Sequence, residues 1–309
     1  MATKIAFLVL AHGDPHHLAR LCASIGPYDD IFLHVDRKTP DDFFAVSLPS
    51  NVRLVQPRTA VQWADVSIVH ATLSLIEGAL AFSDDYLRLV LLSGACYPIR
   101  PVERLREHFL ARQNQNEIRY VNLLEGPESE LRRISRWHFR RPLDSKIRNE
   151  TLVGAASRAV RKIAYLAGRS VDDGFKQYFP DLVPYFGSQW WALTPAAANY
   201  ALERSKAAPE LLAYMRHCWA PDEVYFHTVL GNSEYATSPE PYTQDLSRLG
   251  NLHIVQRAAS KIFQYSDLPE VMASDAFFVR KLATGVSDQL ADAIDQKLLN
   301  SRESSTVIF

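Results

Sequence analysis

Several short stretches of this chain hold residues able to do chemistry. Asp222 and Glu223 stand directly after Pro221. Proline suits the first turn of a helix, and acidic side chains there complement its dipole. The apolar residues Val224, Phe226, Val229 and Leu230 follow as in a packed helix. In that setting Asp222, at the helix start, is better placed as a cap than Glu223. A second stretch, FGSQWWALT, sets Ser188 and Gln189 beside Trp190 and Trp191. Indole faces stack on flat or apolar ligand surfaces, although one of this pair is expected in the core. A third stretch places Arg280 and Lys281 after the apolar run Ala276 to Val279. A guanidinium fork beside an ammonium suits phosphate oxygens, with Arg257 and Lys261 as weaker candidates. Each pattern also has a plainer explanation: a capped helix, a packed aromatic, a solvated basic pair.

The elements that must position these groups read as alternating strands and helices. Ile5 to Ala11 is a strand buried on both faces, followed by a helix over His16 to Ile25. Asp30 to Val35, Asn51 to Val55 and Tyr86 to Leu92 are further strands. A helix capped at Asp65 or Ser67 runs through Leu80. Ile118 to Leu124 reads as another strand, and the Arg- and Lys-rich stretch from Glu125 to Lys176 as loops and short helices. Helices are expected over Pro195 to Leu202, after Pro221, and in a polar tail. The order implies an α/β fold with a mainly parallel central sheet and a decorated C-terminal half. The preferred organisation is a single domain, residues 1–309, with a nucleotide-binding half over about 1–125 and an acceptor and catalytic half over about 126–300.

In such a sheet, ligands bind beyond the carboxyl ends of the strands. His12, Asp36 and Ser93-Gly94 occupy those ends. Asp36 suits a ribose or uracil, or simply forms the turn. Trp63, between a strand and a helix, either lines a nucleotide pocket or closes the sheet edge. There is no Gly-x-Gly-x-x-Gly, no Gly-Lys-Ser/Thr phosphate loop and no Asp-x-Asp. A diphosphate, if bound, would then be neutralised by side chains. His12, His34 and the pair His16-His17 match no closed metal site. The basic region Arg132 to Arg141, with Trp137 and Phe139, is best read as a surface helix packed by its aromatics. If Asp222 and Glu223 are adjacent in a helix they point apart, which argues against a two-carboxylate glycoside hydrolase.

Bulk properties narrow the classes further. The chain has 309 residues, 47% hydrophobic and 22% charged, with a net charge of -1. That balance is ordinary for a globular protein and argues against a nucleic-acid partner. Three cysteines, Cys22, Cys96 and Cys218, are scattered and suggest a reducing compartment. The longest early apolar run, Ile5 to Ala11, falls far short of the roughly 20 residues of a membrane span. The expected location is cytoplasmic, with a peripheral contact at the inner membrane left open, as is the oligomeric state.

The strings KIAFLVLAHGDP, DIFLHVDRKTP, RTAVQWADVSIVHATLSLIEGAL, DYLRLVLLSGACYPIR, GSQWWALT, PDEVYFHTVLGNS and FFVRKL resemble, in order and spacing, the core-2/I-branching glycosyltransferases. That family includes mucin-branching N-acetylglucosaminyltransferases and peptide O-xylosyltransferases. With three cysteines and no early apolar run of spanning length, the chain is expected to be similar to the shorter, bacterial-type members. The resemblance implies a GT-A-type Rossmann-like fold and inverting, metal-independent transfer from a UDP-sugar. It implies that Leu10 and Asp36 face the uridine, and that Val61, Gln62 and Trp63 line the nucleotide pocket. Ser188 and Gln189 would contact donor sugar or acceptor, Glu223 would be the catalytic base, and Arg280 and Lys281 would hold the diphosphate. Some relatives have an acidic residue in place of Gln189, which leaves the donor open between xylose and N-acetylglucosamine, with glucose and galactose further options. The acceptor would be a carbohydrate, glycolipid or peptide. No cofactor or metal is expected. The alternatives are a metal-dependent nucleotide-sugar transferase of another family, which a chelator would inactivate, and a non-catalytic sugar-binding protein on the same fold.

Overall fold

The computed structural model describes residues 3–135, 174–254 and 261–306. Strand β1 (Ile5–Ala11) is buried along its whole length, because helices cover both faces of the sheet around it. Helix α1 (Pro15–Ile25) follows at once, its first turn capped by Asp14, whose carboxylate accepts the His17 N–H at 3.1 Å. Strands β2 (Asp30–Val35) and β3 (Val52–Leu54) add in parallel on one side of β1. Helix α2 (Ser67–Phe82) then leads to β4 (Arg88–Ser93), parallel to β1 on its other side. Ser67 in α2 donates its N–H to Asp65 at 2.9 Å.

A short strand β5 (Cys96–Pro98), helix α3 (Val102–Leu110), strand β6 (Tyr120–Asn122) and helix α4 (Glu128–Ser135) complete the N-terminal part. After helix α5 (Gly174–Tyr178) come β7 (Tyr185–Gly187), β8 (Ala192–Leu193), α6 (Pro195–Ala207), α7 (Pro209–Met215) and α8 (Tyr225–Gly231). Helix α9 (Leu268–Ala273), strand β9 (Phe278–Arg280) and helix α10 (Asp288–Thr306) close the chain. The central sheet has the order β3-β2-β1-β4-β8, with only β8 antiparallel to its neighbour. The α/β class and the mainly parallel sheet are those expected, consistent with a GT-A-like fold.

Side-chain alternation in β1 sorts the core. Ala6, Leu8 and Leu10 pack with α2, α6 and α8, whereas Ile5, Phe7 and Val9 pack with α1 and α3. A third cluster, around Tyr97, Phe263, Val279, Leu282 and Ile294, joins β5 and β9 to α10. Its effect on function is to fix Arg280 opposite Cys96 in an antiparallel pair.

Several expectations need correction. The strand expected over Ile118 to Leu124 is confined to Tyr120–Asn122 and ends in a 3-10 turn, Leu123–Glu125. Helix α3 had no counterpart in the sequence reading; in VERLREHFL only Val102, Leu105 and Phe109 are buried, so its apolar stripe is narrow. Pro221–Glu223 is a separate 3-10 turn rather than the first turn of α8, and Ala220 before it has φ 50°. Residues 136–141 of the basic region, with Trp137 and Phe139, lie outside the described residues, as does Arg257. Among the described residues no helix is long and apolar enough to cross a membrane.

Candidate active site

The parallel topology brings the carboxyl ends of β1, β2 and β4 to one edge of the sheet, where a cavity of about 470 Å³ opens. One wall is built from Leu10, Asp36, Val61 and Trp63. Asp36 is buried, and its Oδ1 accepts the N–H groups of Lys38 at 2.9 Å and Val61 at 3.3 Å. Lys38 Nζ lies 3.5 Å from Asp36 Oδ2 and donates to the Val61 carbonyl at 2.5 Å. The end of β2 and the Val61 loop are thus tied together. Behind them, buried His34 accepts the Thr59 N–H at Nε2, 2.9 Å away. Burial lowers its pKa, so it is held neutral. Trp63 stands at the mouth, 79% exposed, edge-on to Trp219 with ring centroids 5.5 Å apart.

The opposite wall is the GSQW segment that leaves β7. Gly187 is required by close approach: a Cβ there would sit 2.2 Å from the Arg119 carbonyl oxygen and 2.7 Å from the His227 ring. His227 is fully buried in α8 and donates from Nε2 to the Ser188 carbonyl at 3.1 Å. Burial lowers its pKa to about 4, so near neutral pH it holds this segment without adding charge. Ser188 Oγ in turn accepts the Trp190 N–H at 3.3 Å. Trp190 lines the cavity, whereas Trp191 is 1% exposed and packs on Phe226 in the core. Gln189 also lines the cavity, and its buried Nε2 has no hydrogen-bond partner among the described residues.

The carboxylates enter from the Pro221–Glu223 turn. No side chain caps that turn or α8, so the cap expected at Asp222 is not formed. The reason is geometric: Val224 breaks the helical path, and Asp222 and Glu223 line the cavity together instead of pointing apart. Burial, then the neighbouring charge of Asp222, push the Glu223 pKa up to about 8, against a smaller opposing pull from Arg133. A carboxyl tuned in this way is a better match to a hydroxyl proton than an ordinary surface glutamate. Asp36, the remaining carboxylate of the lining, is committed to backbone N–H groups.

Arg280 and Lys281 complete the cavity at the end of β9. Arg280 Nε donates to Ser93 Oγ at 2.9 Å, and its Cζ lies 4.7 Å from the centre of the Trp190 ring. Burial lowers the pKa of both cations, and the Arg280 charge lowers that of Lys281 further. Two partly desolvated cations side by side are costly without an anion between them. Lys261, by contrast, is paired with Asp267 at 3.0 Å and Glu270 at 3.4 Å and does not line the cavity. Gln62 is also absent from the lining; its N–H donates to Ser67 Oγ at 2.9 Å, which turns the loop that presents Val61 and Trp63. Among the described residues no three of His, Cys, Asp and Glu are grouped to hold a metal ion.

The family model described as Core-2/I-Branching enzyme matches residues 5–240 of this chain. The chain belongs to the Core-2/I-branching enzyme family. Curated relatives include a Drosophila melanogaster protein named xylosyltransferase oxt, 25% identical over 252 residues. Another is the human beta-1,3-galactosyl-O-glycosyl-glycoprotein beta-1,6-N-acetylglucosaminyltransferase, 24% identical over 253 residues. The matches cover 76% and 79% of this chain but only 25% and 52% of the relatives' own lengths. Both relatives carry the names of sugar-transferring enzymes.

In this Core-2/I-branching family member the matched region holds both cavity walls and Glu223 but ends before Arg280 and Lys281. Sequence reasoning did not find Lys38, His227 or His253 as parts of the site. A signal existed for the first two: Lys38 lies two residues after Asp36, and His227 lies four after Glu223 on the same segment. His253, which lines the cavity and contacts Cys96 Sγ through Nε2 at 3.4 Å, had no local pattern to mark it.

Proposed function

We propose that this protein is an inverting, metal-independent glycosyltransferase that moves a sugar from a UDP-sugar to an acceptor hydroxyl. The observation that supports it most is the meeting, around one cavity, of a carboxylate with a raised pKa and two cations in no ion pair among the described residues. In this reading the uridine lies against Leu10, Asp36 and Val61, and the diphosphate reaches Arg280 and Lys281. Ser188 and Gln189 contact the transferred sugar or the acceptor, and the unpartnered Gln189 amide suits a hydroxyl or carbonyl oxygen.

The reaction is a single displacement. The acceptor hydroxyl gives its proton to Glu223 as its oxygen bonds to the anomeric carbon. The bond from that carbon to the β-phosphate oxygen breaks, and its electron pair leaves with UDP. Attack opposite the leaving group inverts the anomeric centre. Arg280 and Lys281 stabilise the charge that develops on UDP, a contribution that fixed donors in a water-poor site make effectively. The donor sugar proposed is xylose or N-acetylglucosamine, the sugars named for the relatives. The acceptor is a carbohydrate, glycolipid or peptide. The buried free thiols of Cys22, Cys96 and Cys218 accord with a cytoplasmic setting.

The test is UDP release over a panel of UDP-sugars with and without EDTA. The reading expects one or two donors to be turned over equally in both conditions. Activity that vanishes with EDTA and returns with manganese contradicts the metal-free part, and no turnover or UDP binding across the panel contradicts the donor class.

A further inference from the structure

Arg280 is held unlike several other arginines of this fold. Arg20 is clamped by Asp292 and Asp295, each at 2.6 Å, and Arg106 by Asp29 at 2.7 Å. Among the described residues Arg280 makes no ion pair, although the charge of Asp222 reaches it across the cavity. It is fixed instead by neutral groups on three sides. Its backbone pairs with Cys96 across β5 and β9. Its Nε donates to Ser93 Oγ at 2.9 Å, and its Cζ lies over the Trp190 ring, 4.7 Å from the centre. Ser93 is itself immobilised: its Oγ accepts the Ala95 N–H at 3.3 Å and lies 3.4 Å from Cys96 Sγ. One tight turn, residues 93–96, therefore grips Arg280 by both backbone and side chain.

We infer that Ser93 and Trp190 are positioning residues that aim the Arg280 guanidinium at the donor's diphosphate while leaving its charge intact. The inference rests on the reading of Arg280 as a diphosphate ligand. Guanidinium has five N–H donors in a fixed fork, and the Ser93 bond uses only the inner one. The outer nitrogens remain for two phosphate oxygens. A carboxylate in place of Ser93 would hold the fork as firmly, but it would neutralise it and repel the incoming diphosphate. A hydroxyl on the edge and an indole on the face give orientation without that conflict.

The test compares affinities for UDP and for uridine, which lacks the phosphates. Ser93→Ala is expected to weaken UDP by about tenfold, the worth of one charge-assisted hydrogen bond, and to leave uridine unchanged. Ser93→Asp is expected to weaken UDP more than Ser93→Ala does, again sparing uridine. Equal loss of UDP and uridine in Ser93→Ala overturns the inference, because the serine would then only support the fold. So does unchanged UDP affinity in Ser93→Ala, or a Ser93→Asp variant that binds UDP as well as the native protein. Arg280→Ala separates the two levels. If it weakens UDP while Ser93→Ala does not, only the clamp is wrong. If Arg280→Ala itself leaves UDP affinity unchanged, the diphosphate reading fails and the clamp with it.

Discussion

In the proposed mechanism Glu223 concentrates the chemistry in one side chain. Replacing it by Gln keeps the shape and removes the base, so turnover should fall by about 100- to 10,000-fold while UDP affinity stays near native. Near-native turnover, measured by UDP release, refutes the assignment. Its pH behaviour follows from the raised pKa. The working form is ionised, so kcat/KM should decline as pH falls through about 8. The same shift has a consequence for stability. The folded state holds its Glu223 proton to higher pH than the unfolded chain, so stability is lost as pH rises from the unfolded value toward about 8. Glu223→Gln should therefore melt at a higher temperature than the native protein at pH 9, with the gap closing toward pH 4; thermal unfolding at both pH values checks this. Lys281→Ala should weaken UDP and slow transfer together, and a change in acceptor KM alone would contradict its assignment. At this scale residue type and chain neighbourhood sufficed to pick out Glu223, Ser188 and Arg280 as residues that line one cavity, which says nothing yet of their roles. The same signals failed for Asp222, because a cap and a cavity-lining carboxylate share the same Pro-Asp-Glu string and only the break at Val224 separates them.

At the scale of elements, β7, α8 and the turn before α8 behave as a unit. His227 joins the segment that bears Glu223 to the segment that bears Ser188 and Gln189, and Gly187 gives it room. Gly187→Ala places a methyl group against backbone and a buried ring, neither of which can rotate away. The expected cost is about 1–3 kcal/mol of stability, with activity lost beyond that because the GSQW segment shifts. Denaturant unfolding together with UDP release reads both effects, and native values for both would show that the segment is not built this tightly. The strands of the parallel sheet were legible because burial on both faces leaves continuous apolar runs, as in Ile5–Ala11. Helix α3 was not, since its exposed face is mostly charged and its stripe narrow. Strand β9 pairs with β5 far along the chain, Cys96 with Arg280 and Pro98 with Phe278, a contact that no local pattern encodes.

For the whole molecule, topology does the assembling. Four parallel strands align their carboxyl ends, the antiparallel β8 brings the tryptophan segment alongside β4, and the C-terminal cluster returns Arg280 and Lys281 to the same edge. Groups from residue 10 to residue 281 thus surround one cavity. The central claim is that the base and the cations address the two ends of one donor. The most direct measurement is a crystal structure with UDP bound. The account predicts phosphate oxygens within hydrogen-bond distance of Arg280 and Lys281, uracil against Leu10 and Asp36, and the β-phosphate turned toward the space before Glu223. UDP bound with its diphosphate away from both cations, or outside this cavity, would contradict it.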